Sequence, residues 1–337
     1  MLSGRAKFLA AAAAILCLGL TILSGASEVD DQLSAKRRVF PAIGPGLRAL
    51  RHGADGKYYI LASPNVGIAV FDAKGTPLTT IAAPASYAPT GPTARASIAF
   101  GEDLDVDSHG TLYVADRGAN QVGILTPDGR LLRSIPFNSP LSLAALPEGE
   151  VAVTSTRGPH LVTVFSANGK LVREFGDPEQ LSGREDMNRY VSIGRVVSDP
   201  QGRLYYGYTY FPEPLVRQYD RFGFAKLDFQ FTTLDAFSEA RATRREIERQ
   251  EKRAEPPSLQ PILTAFGVDP VNGDVWMALH NTLLHFDKEG NQRSEYEIYT
   301  KDGVRIEANV ILIEENRLLI GADPLGIYEF ARPDRTP

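Results

Sequence analysis

Residues 110–129 read GTLYVADRGANQVGILTPDG, and residues 149–169 read GEVAVTSTRGPHLVTVFSANG. Each stretch begins at a glycine, continues through two short apolar runs and ends at a second glycine turn. The β-branched and aromatic content of the runs, together with the Asp-Gly and Asn-Gly turns, favours strands over helices. The same order recurs six times between residues 47 and 331, and a strand-and-turn repeat of this length is typical of a β-propeller blade.

The repeats predict an all-β, six-bladed β-propeller whose blades each contain four antiparallel strands. The blades begin near Leu47, Ile98, Leu141, Val191, Leu263 and Ile306, and the last ends near Ala331. The sixth repeat stops after its third strand, before a tail of residues 332–337. We expect residues 36–43, within an N-terminal segment of residues 27–46, to supply the missing outer strand, because an open ring would expose strand edges.

This pattern resembles the NHL-repeat family of six-bladed propellers over about residues 47–331. The clearest match is in the second blade, at Asp107, Gly110, Leu112–Asp116, Asn120, Val122 and Asp128–Gly129. NHL propellers serve very different functions, so the resemblance implies the fold and leaves the function open.

The first 26 residues have the features of a secretory signal peptide. Arg5 and Lys7 precede an apolar run from Phe8 to Leu23, and Ser24-Gly25-Ala26 supplies small residues at the cleavage spacing. The run is shorter than the roughly 20 residues that a membrane span needs. We therefore expect a secreted or periplasmic protein, with membrane attachment only through an uncleaved signal segment.

Charge and cysteine content exclude several functions. Removing residues 1–26 removes two positive charges and no negative one, so the formal charge falls from −5 to −7. This charge argues against nucleic-acid binding and against general association with anionic membranes. The single cysteine, Cys17, lies in the signal segment, so the mature chain has no thiol for a disulfide or a thiolate metal site.

Three long connections between blades, at residues 82–97, 176–190 and 230–261, are expected on one face of the ring by strand parity. Insertions collected on one face often mark the binding side of a repeat protein. The longest includes a helical insertion at about residues 232–258, between blades four and five, and Pro256-Pro257 ends its helix. The helix is either a solvated element on the rim or a lid or docking arm.

A second candidate region lies along the inner strands. Asp103, Arg195 and Asn309 occupy equivalent positions in their blades, and Arg51 and Asp105 lie on adjacent blades where they can form an ion pair. Charges near the axis need partners, water or a ligand. These residues therefore form either a clasp between blades or a binding site.

Other candidates are weaker. His160 and His280 lie on loops of the insertion face, where they are either surface residues or a metal or base pair. Tyr208 and Tyr210 offer aromatic surface for a partner on the same face, although Tyr208 also fits a packed position. We predict no cofactor, with one alternative: a calcium site on the axis that uses oxygen atoms of Asp103, Asn309 and Asn188.

These observations favour a non-catalytic binding or scaffolding module for a protein, a peptide or a glycan. The alternative is a metal-dependent hydrolase or lyase with an axial site. Propellers similar to this one include lactonases of the gluconolactonase type, which hold a divalent cation on the axis, and streptogramin lyases, which use a histidine base. No catalytic residue and no metal ligand set is assigned, because the chain contains no nucleophile elbow, phosphate loop or HExxH motif.

Overall fold

Six antiparallel sheets follow one another along the chain in this computed structural model. It describes residues 31–41, 43–63, 67–81, 97–231 and 234–335. The chain from Gln32 onward forms one compact unit. The sheets are the blades of a propeller, which confirms the fold that the repeats predict.

Two short N-terminal strands, β1 (Asp31–Ser34) and β2 (Arg37–Val39), precede the repeats. Each blade is given from the axis outward. Blade one contains β3 (Leu47–His52), β4 (Tyr58–Ala62), β5 (Gly67–Phe71) and β6 (Pro77–Ile81), and blade two contains β7 (Gly101–Val106), β8 (Leu112–Asp116), β9 (Gln121–Leu125) and β10 (Leu131–Pro136). Blade three contains β11 (Pro140–Ala145), β12 (Val151–Ser155), β13 (Val162–Phe165) and β14 (Leu171–Phe175). Blade four contains β15 (Gly194–Ser198), β16 (Leu204–Tyr208), β17 (Leu215–Tyr219) and β18 (Ala225–Gln230), and blade five contains β19 (Ala265–Val268), β20 (Val275–Leu279), β21 (Thr282–Phe286) and β22 (Gln292–Tyr299). Blade six contains β23 (Val310–Ile313), β24 (Arg317–Ala322) and β25 (Gly326–Ala331).

The ring is closed by both contact and strand pairing. Each inner strand contacts the inner strand of the next blade, and β23 of blade six contacts β3 of blade one. The outer strand of blade six is β2, which pairs antiparallel with β25 and places Arg37 opposite Glu329 and Val39 opposite Ile327. The predicted closing strand is therefore present, at residues 37–39.

The second N-terminal strand, β1, was not expected from the sequence. It adds a fifth strand to blade five, outside β22. The amide of Ala35 donates to the carbonyl of Tyr299, and the amide of Lys36 donates to the carbonyl of Glu329. The N-terminal segment thus passes from blade five to blade six and links them. Its sequence, DQLS, has one apolar residue and gives no strand signal of its own.

Each pair of neighbouring blades encloses its own cluster of buried apolar side chains. Between blades five and six the cluster includes Trp276, which is fully buried. Between blades six and one it includes Phe40 from the N-terminal segment. Four corresponding clusters lie at the other interfaces. Side chains of a strand alternate between its two faces, so a middle strand contributes to the core on both sides.

The tight turns between inner and second strands depend on an aspartate and a glycine. Asp107 Oδ1 accepts hydrogen bonds from the amides of His109 (2.9 Å) and Thr111 (2.8 Å). Gly110 completes this turn with a φ of +81°, a conformation that glycine adopts without strain. Asp199 occupies the same position in blade four. Both aspartates are turn residues, as the sequence indicates.

Two helices occupy the long connections that the structure describes: α1 (Glu185–Val191) between blades three and four, and α2 (Leu234–Arg253) between blades four and five. The helical insertion was predicted, whereas α1 was not. Neither helix combines the length and apolar composition needed to cross a bilayer, in the part of the chain covered here. The third long connection, at residues 82–97, lies outside the described residues except for Ser97.

The two helices pack together on the propeller. Met187 and Val191 of α1 share one buried cluster with Ile247 of α2 and with Leu259, which follows it. Glu251 of α2 accepts hydrogen bonds from the segment that leads into α1, including one from the amide of Gly183 (2.8 Å). The insertion is therefore anchored on the neighbouring connection instead of lying free in solvent.

Candidate functional site

A cavity of about 1070 Å³ lies on the propeller axis. The inner strands and first turns of all six blades form its wall, and one lining residue from each blade is Arg51, Asp105, Ala145, Arg195, Phe266 and Asn309. Neither α1 nor α2 contributes to the lining. The cavity is therefore separate from the described long connections, where the sequence led us to expect the binding face.

Arg51 joins neighbouring blades at the axis. Its Nε lies 3.0 Å from Asp105 Oδ1, and its Nη2 lies 3.1 Å from Asp103 Oδ1. Asp103 Oδ2 accepts a hydrogen bond from Ser142 Oγ (2.5 Å), and Asp105 Oδ2 accepts one from the amide of Ala145 (2.7 Å). The Arg51–Asp105 ion pair expected from the sequence is present, and the two aspartates extend it to blade three.

Burial and charge shift the pKa values of Arg51 and Asp105 in opposite directions; we call these two residues and Asp103 the clasp. Burial raises the pKa of Asp105, against the influence of Arg51 and the Ala145 amide. Burial alone would lower the pKa of Arg51, but the carboxylates of Asp103 and Asp105 outweigh it and raise that pKa. Because Arg51 and both carboxylates are held by one another and by protein donors, the clasp has a structural role at the axis.

The residues suggested for an axial calcium ion do not fit one. Both oxygens of Asp103 already accept hydrogen bonds from the protein. Asn188 lies in α1, where its Oδ1 accepts hydrogen bonds from the amides of Leu181 (2.9 Å) and Ser182 (2.8 Å), and it does not line the cavity. Of the three suggested ligands, only Asn309 has a side-chain oxygen atom that accepts no hydrogen bond from the residues the structure describes.

Three arginines gather around Glu102, near the beginnings of the inner strands. Glu102 Oε1 lies 2.7 Å from Arg117 Nε, and its Oε2 lies 3.8 Å from Arg48 Nη1. Arg195 of blade four reaches past blade three and donates from Nη1 to the backbone carbonyl of Glu102 (3.4 Å). Arg48 and Arg117 both lie over the ring of Phe100, at 5.4 and 4.9 Å from its centroid. We call Arg48, Arg117 and Arg195 the arginine cluster.

Two buried polar atoms of residues in the cavity wall have no hydrogen-bond partner among the described residues. One is Arg48 Nε, and the other is Asn309 Oδ1. The two residues are close together, because Asn309 Nδ2 donates to the carbonyl of Leu47, which precedes Arg48 (2.9 Å). These two lining residues therefore each keep an unused polar atom, although neither atom is itself exposed to the cavity.

The first-turn end of the cavity holds an ionic network between blades one and six. Glu314 Oε1 lies 3.0 Å from His52 Nδ1 and accepts a hydrogen bond from the hydroxyl of Tyr58, while Oε2 pairs with Arg317. Burial opposes ionisation of Glu314, but these partners outweigh it and lower its pKa to about 2. The hydrogen bond to Glu314 raises the pKa of His52. The network satisfies its own charges, which gives it a role in holding the two blades together.

A different group offers three metal-ligand atoms within 4.8 Å of one another: Asp274, His285 and Asp334. His285 Nε2 lies 3.0 Å from Asp274 Oδ2, and its ring stacks on Trp276 with the centroids 4.2 Å apart. Imidazole and carboxylate are zinc ligands, but Asp334 is already paired with Arg332 at 2.5 Å. None of the three lines the axial cavity.

The two histidines proposed from the sequence are not brought to the axis. His160 Nδ1 lies 3.4 Å from Asp177 Oδ1, and its side chain is 38% exposed. His280 has a φ of +56°, and its carbonyl accepts a hydrogen bond from Ala308 (3.0 Å). Neither lines the cavity. Their placement is that of loop residues and forms no shared site.

The two candidate tyrosines differ in accessibility. Tyr208 is fully buried, and its hydroxyl donates to Glu179 (3.2 Å). Tyr210 packs against Tyr190 with the ring centroids 4.8 Å apart. Burial raises the pKa of Tyr210, and the charge of Arg195 opposes that rise. Tyr208 therefore packs the core, while Tyr210 lies near the arginine cluster.

Several site residues were missed by sequence reasoning. Arg48, Glu102 and Arg117 are 15 to 69 positions apart and belong to no motif, and the same holds for Asp274, His285 and Asp334. For the first group a weak signal existed, because Arg48 and Glu102 precede the equivalent positions Ala49 and Asp103 on adjacent blades. For the second group no signal was available.

Sequence comparisons identify no relative: no protein-family model matches the chain, and no curated protein matches it significantly. Solved structures do match. The chain is similar to virginiamycin B lyase from Staphylococcus aureus over 85% of this chain and 80% of that chain, with a TM-score of 0.54 and 14% identity. It is similar to a streptogramin B lyase over 87% of this chain and 85% of that chain, with a TM-score of 0.52 and 16% identity. It is also similar to a gluconolactonase from Xanthomonas campestris over 90% of this chain and 95% of that chain, with a TM-score of 0.58 and 14% identity.

At such low identity these similarities show the six-bladed propeller fold and nothing about the site. The activities of the lyases and the lactonase belong to those proteins. The resemblance to the NHL-repeat family stays a prediction, since no family model supports it.

Proposed function

We propose that this chain is a binding propeller that takes a small polar molecule in its axial cavity. The observation that carries the proposal is the cavity itself, which is walled by all six blades and lined by the charged side chains of Arg48 and Arg195. Two lining residues also hold buried polar atoms without a partner among the described residues, Asn309 Oδ1 and Arg48 Nε. Such an atom costs about 1–3 kcal/mol, so a small side-chain movement that brings either atom into a hydrogen bond with a ligand is favoured. The cavity volume of about 1070 Å³ is suitable for a small molecule.

We favour the axial cavity over the insertion face, where the sequence led us to expect a protein, peptide or glycan partner. Tyr208 and Phe211 are buried, and Tyr190 and Tyr210 pack against each other. Arg244, a basic residue of the helix that the sequence suggested as a docking arm, is paired with Glu213 at 2.8 Å. The aromatic and basic groups that motivated a macromolecular partner therefore contribute to folding of this face.

The proposal is tested by blocking the cavity. A panel of small polar compounds is screened by thermal shift and titration calorimetry against the wild-type protein and Ala145→Phe, which places a ring on the cavity wall. A compound at about 100 times its Kd should stabilise the wild type by about 2.7 kcal/mol and the variant much less. Ala225→Phe, on the exposed outer strand of blade four, is the matched control and should bind normally. Binding that survives Ala145→Phe contradicts the proposal.

A hydrolase or lyase is the second candidate. The donor set of Asp274, His285 and Asp334 favours it, together with the presence of lyases and a lactonase among proteins of the same fold. The two candidates differ in metal content. Elemental analysis of the purified protein should find a stoichiometric divalent metal, lost in His285→Ala, if the enzyme candidate is right. A metal-free protein that still binds its ligand supports the binding propeller.

We also propose that the chain is exported. The apolar run of Phe8 to Leu23 and the small residues after it support this proposal. N-terminal sequencing of the protein recovered from its native compartment should begin near Ser27. A protein that retains Met1 and stays in the cytoplasm contradicts it.

A further inference from the structure

We infer that the arginine cluster is an anion-binding site and that the molecule taken into the axial cavity carries a carboxylate or phosphate group. This inference rests on the proposed function, because Arg48 and Arg195 also line that cavity. Guanidinium groups bind carboxylates and phosphates through paired N–H donors, and their charge shortens and strengthens those bonds.

Arg48 and Arg195 use few of their hydrogen-bond donors within the protein. Arg48 Nη1 lies 3.8 Å from Glu102, which is beyond hydrogen-bond distance, and its buried Nε has no partner among the described residues. Arg195 donates one bond of 3.4 Å to a backbone carbonyl. Within the described part of the chain, no carboxylate lies within 4.0 Å of the Arg195 guanidinium. Both side chains can therefore accept an anion without losing a strong partner.

Two other partly buried arginines, Arg51 and Arg217, are each paired with two carboxylates. Arg51 pairs with two aspartates of blade two. Arg217 pairs with Glu179 at 2.6 Å and with Asp228 at 2.8 Å. In the arginine cluster one carboxylate, Glu102, is shared by two guanidinium groups while a third contacts only its backbone. The cluster thus differs from Arg51 and Arg217 in having more guanidinium groups than carboxylates.

The surrounding residues hold the cluster in place for binding. Phe100 lies beneath Arg48 and Arg117, which restricts both guanidinium groups by cation–π contact.

The test uses inorganic phosphate and citrate as probes, titrated by calorimetry at constant ionic strength against chloride, because exposed charges are screened by salt. Wild type is compared with the double variant Arg48→Gln/Arg195→Gln. We expect this variant to bind the probes about tenfold more weakly or worse, because charge-assisted hydrogen bonds are lost. The variant Arg48→Lys/Arg195→Lys keeps the charge, loses the paired donors and should lie between the two. Arg244→Gln, which breaks an ion pair on α2, is the matched control and should bind as wild type does.

Each outcome is decisive. Absence of saturable binding of either anion to the wild type, or binding that survives Arg48→Gln/Arg195→Gln, overturns the inference. If that variant fails to fold, as judged by circular dichroism, the lysine variant decides: wild-type affinity in it overturns the inference as well. If neutral compounds bind and Ala145→Phe blocks them while the anions do not bind, the inference is wrong and the proposed function stands. If no compound of any charge binds, the proposed function itself is wrong.

Discussion

Replacing Phe40 by alanine should strongly destabilise the whole propeller, because this side chain packs the N-terminal segment between the first and last blades. Phe40 is 3% exposed, and its ring centroid lies 5.0 Å from that of Tyr58 and 4.9 Å from that of Phe71. Leu319 and Ile327 of blade six belong to the same cluster. Truncation of a buried phenylalanine costs about 3–5 kcal/mol. With an unfolding entropy of about 2.1 cal/mol/K per residue over about 300 residues, this corresponds to a fall in Tm of about 5–8 °C.

The assay is equilibrium urea unfolding followed by the fluorescence of Trp276, supported by calorimetry. Trp276 is the single tryptophan and is fully buried between blades five and six, so its emission reports opening at the interface next to the closing strand. Leu78→Ala, at a residue that is 51% exposed on β6, is the control and should change stability by less than about 0.5 kcal/mol. A loss below about 1 kcal/mol in Phe40→Ala would refute the view that the N-terminal segment holds the ring closed.

The remaining predictions concern two ion pairs and one close backbone approach. Arg332→Met should cost about 3–5 kcal/mol in urea unfolding, because Arg332 is 2% exposed and the buried Asp269 would lose its nearer cation, at 2.6 Å, and keep only Arg335 at 3.5 Å; an unchanged free energy of unfolding contradicts this. NMR titration should place the pKa of His52 above 6.5, and Glu314→Gln should lower that pKa. An unchanged pKa in the variant would show that Glu314 does not raise it. Because that pKa is raised, the stability it contributes is present below pH 6.5 and is lost as pH rises through the folded value. Glu314, with a pKa of about 2, contributes above its unfolded value of 4.5 and loses that contribution as pH falls towards 2, so Glu314→Gln should flatten stability across this range. Gly194→Ala should lower the free energy of unfolding by at least about 1 kcal/mol, since a Cβ there would overlap a backbone carbonyl of the paired strand. A urea midpoint equal to that of the wild type would show that the two strands can move apart without cost.

The sequence alone determined the blades, their number and the closing strand. Turns such as Asp107–Gly110 need a glycine at positive φ and an aspartate that accepts the turn amides, and alternating apolar residues define a strand over five or six positions. These requirements act within a few residues of one another, so a single chain displays them without further information. The closing strand followed from an edge that would otherwise stay unpaired, and the Arg51–Asp105 pair followed from blade alignment.

Only the tertiary structure decided which side chains share a site. Arg195 of blade four contacts the backbone carbonyl of Glu102 in blade two, and Asp334, in the turn after blade six, lies beside His285 of blade five. Nor did the sequence reveal β1, because four residues with one apolar side chain become a strand only when the edge of β22 offers hydrogen bonds. Contacts of this kind depend on how the closed ring brings distant residues together, and that geometry leaves no periodic trace in the sequence.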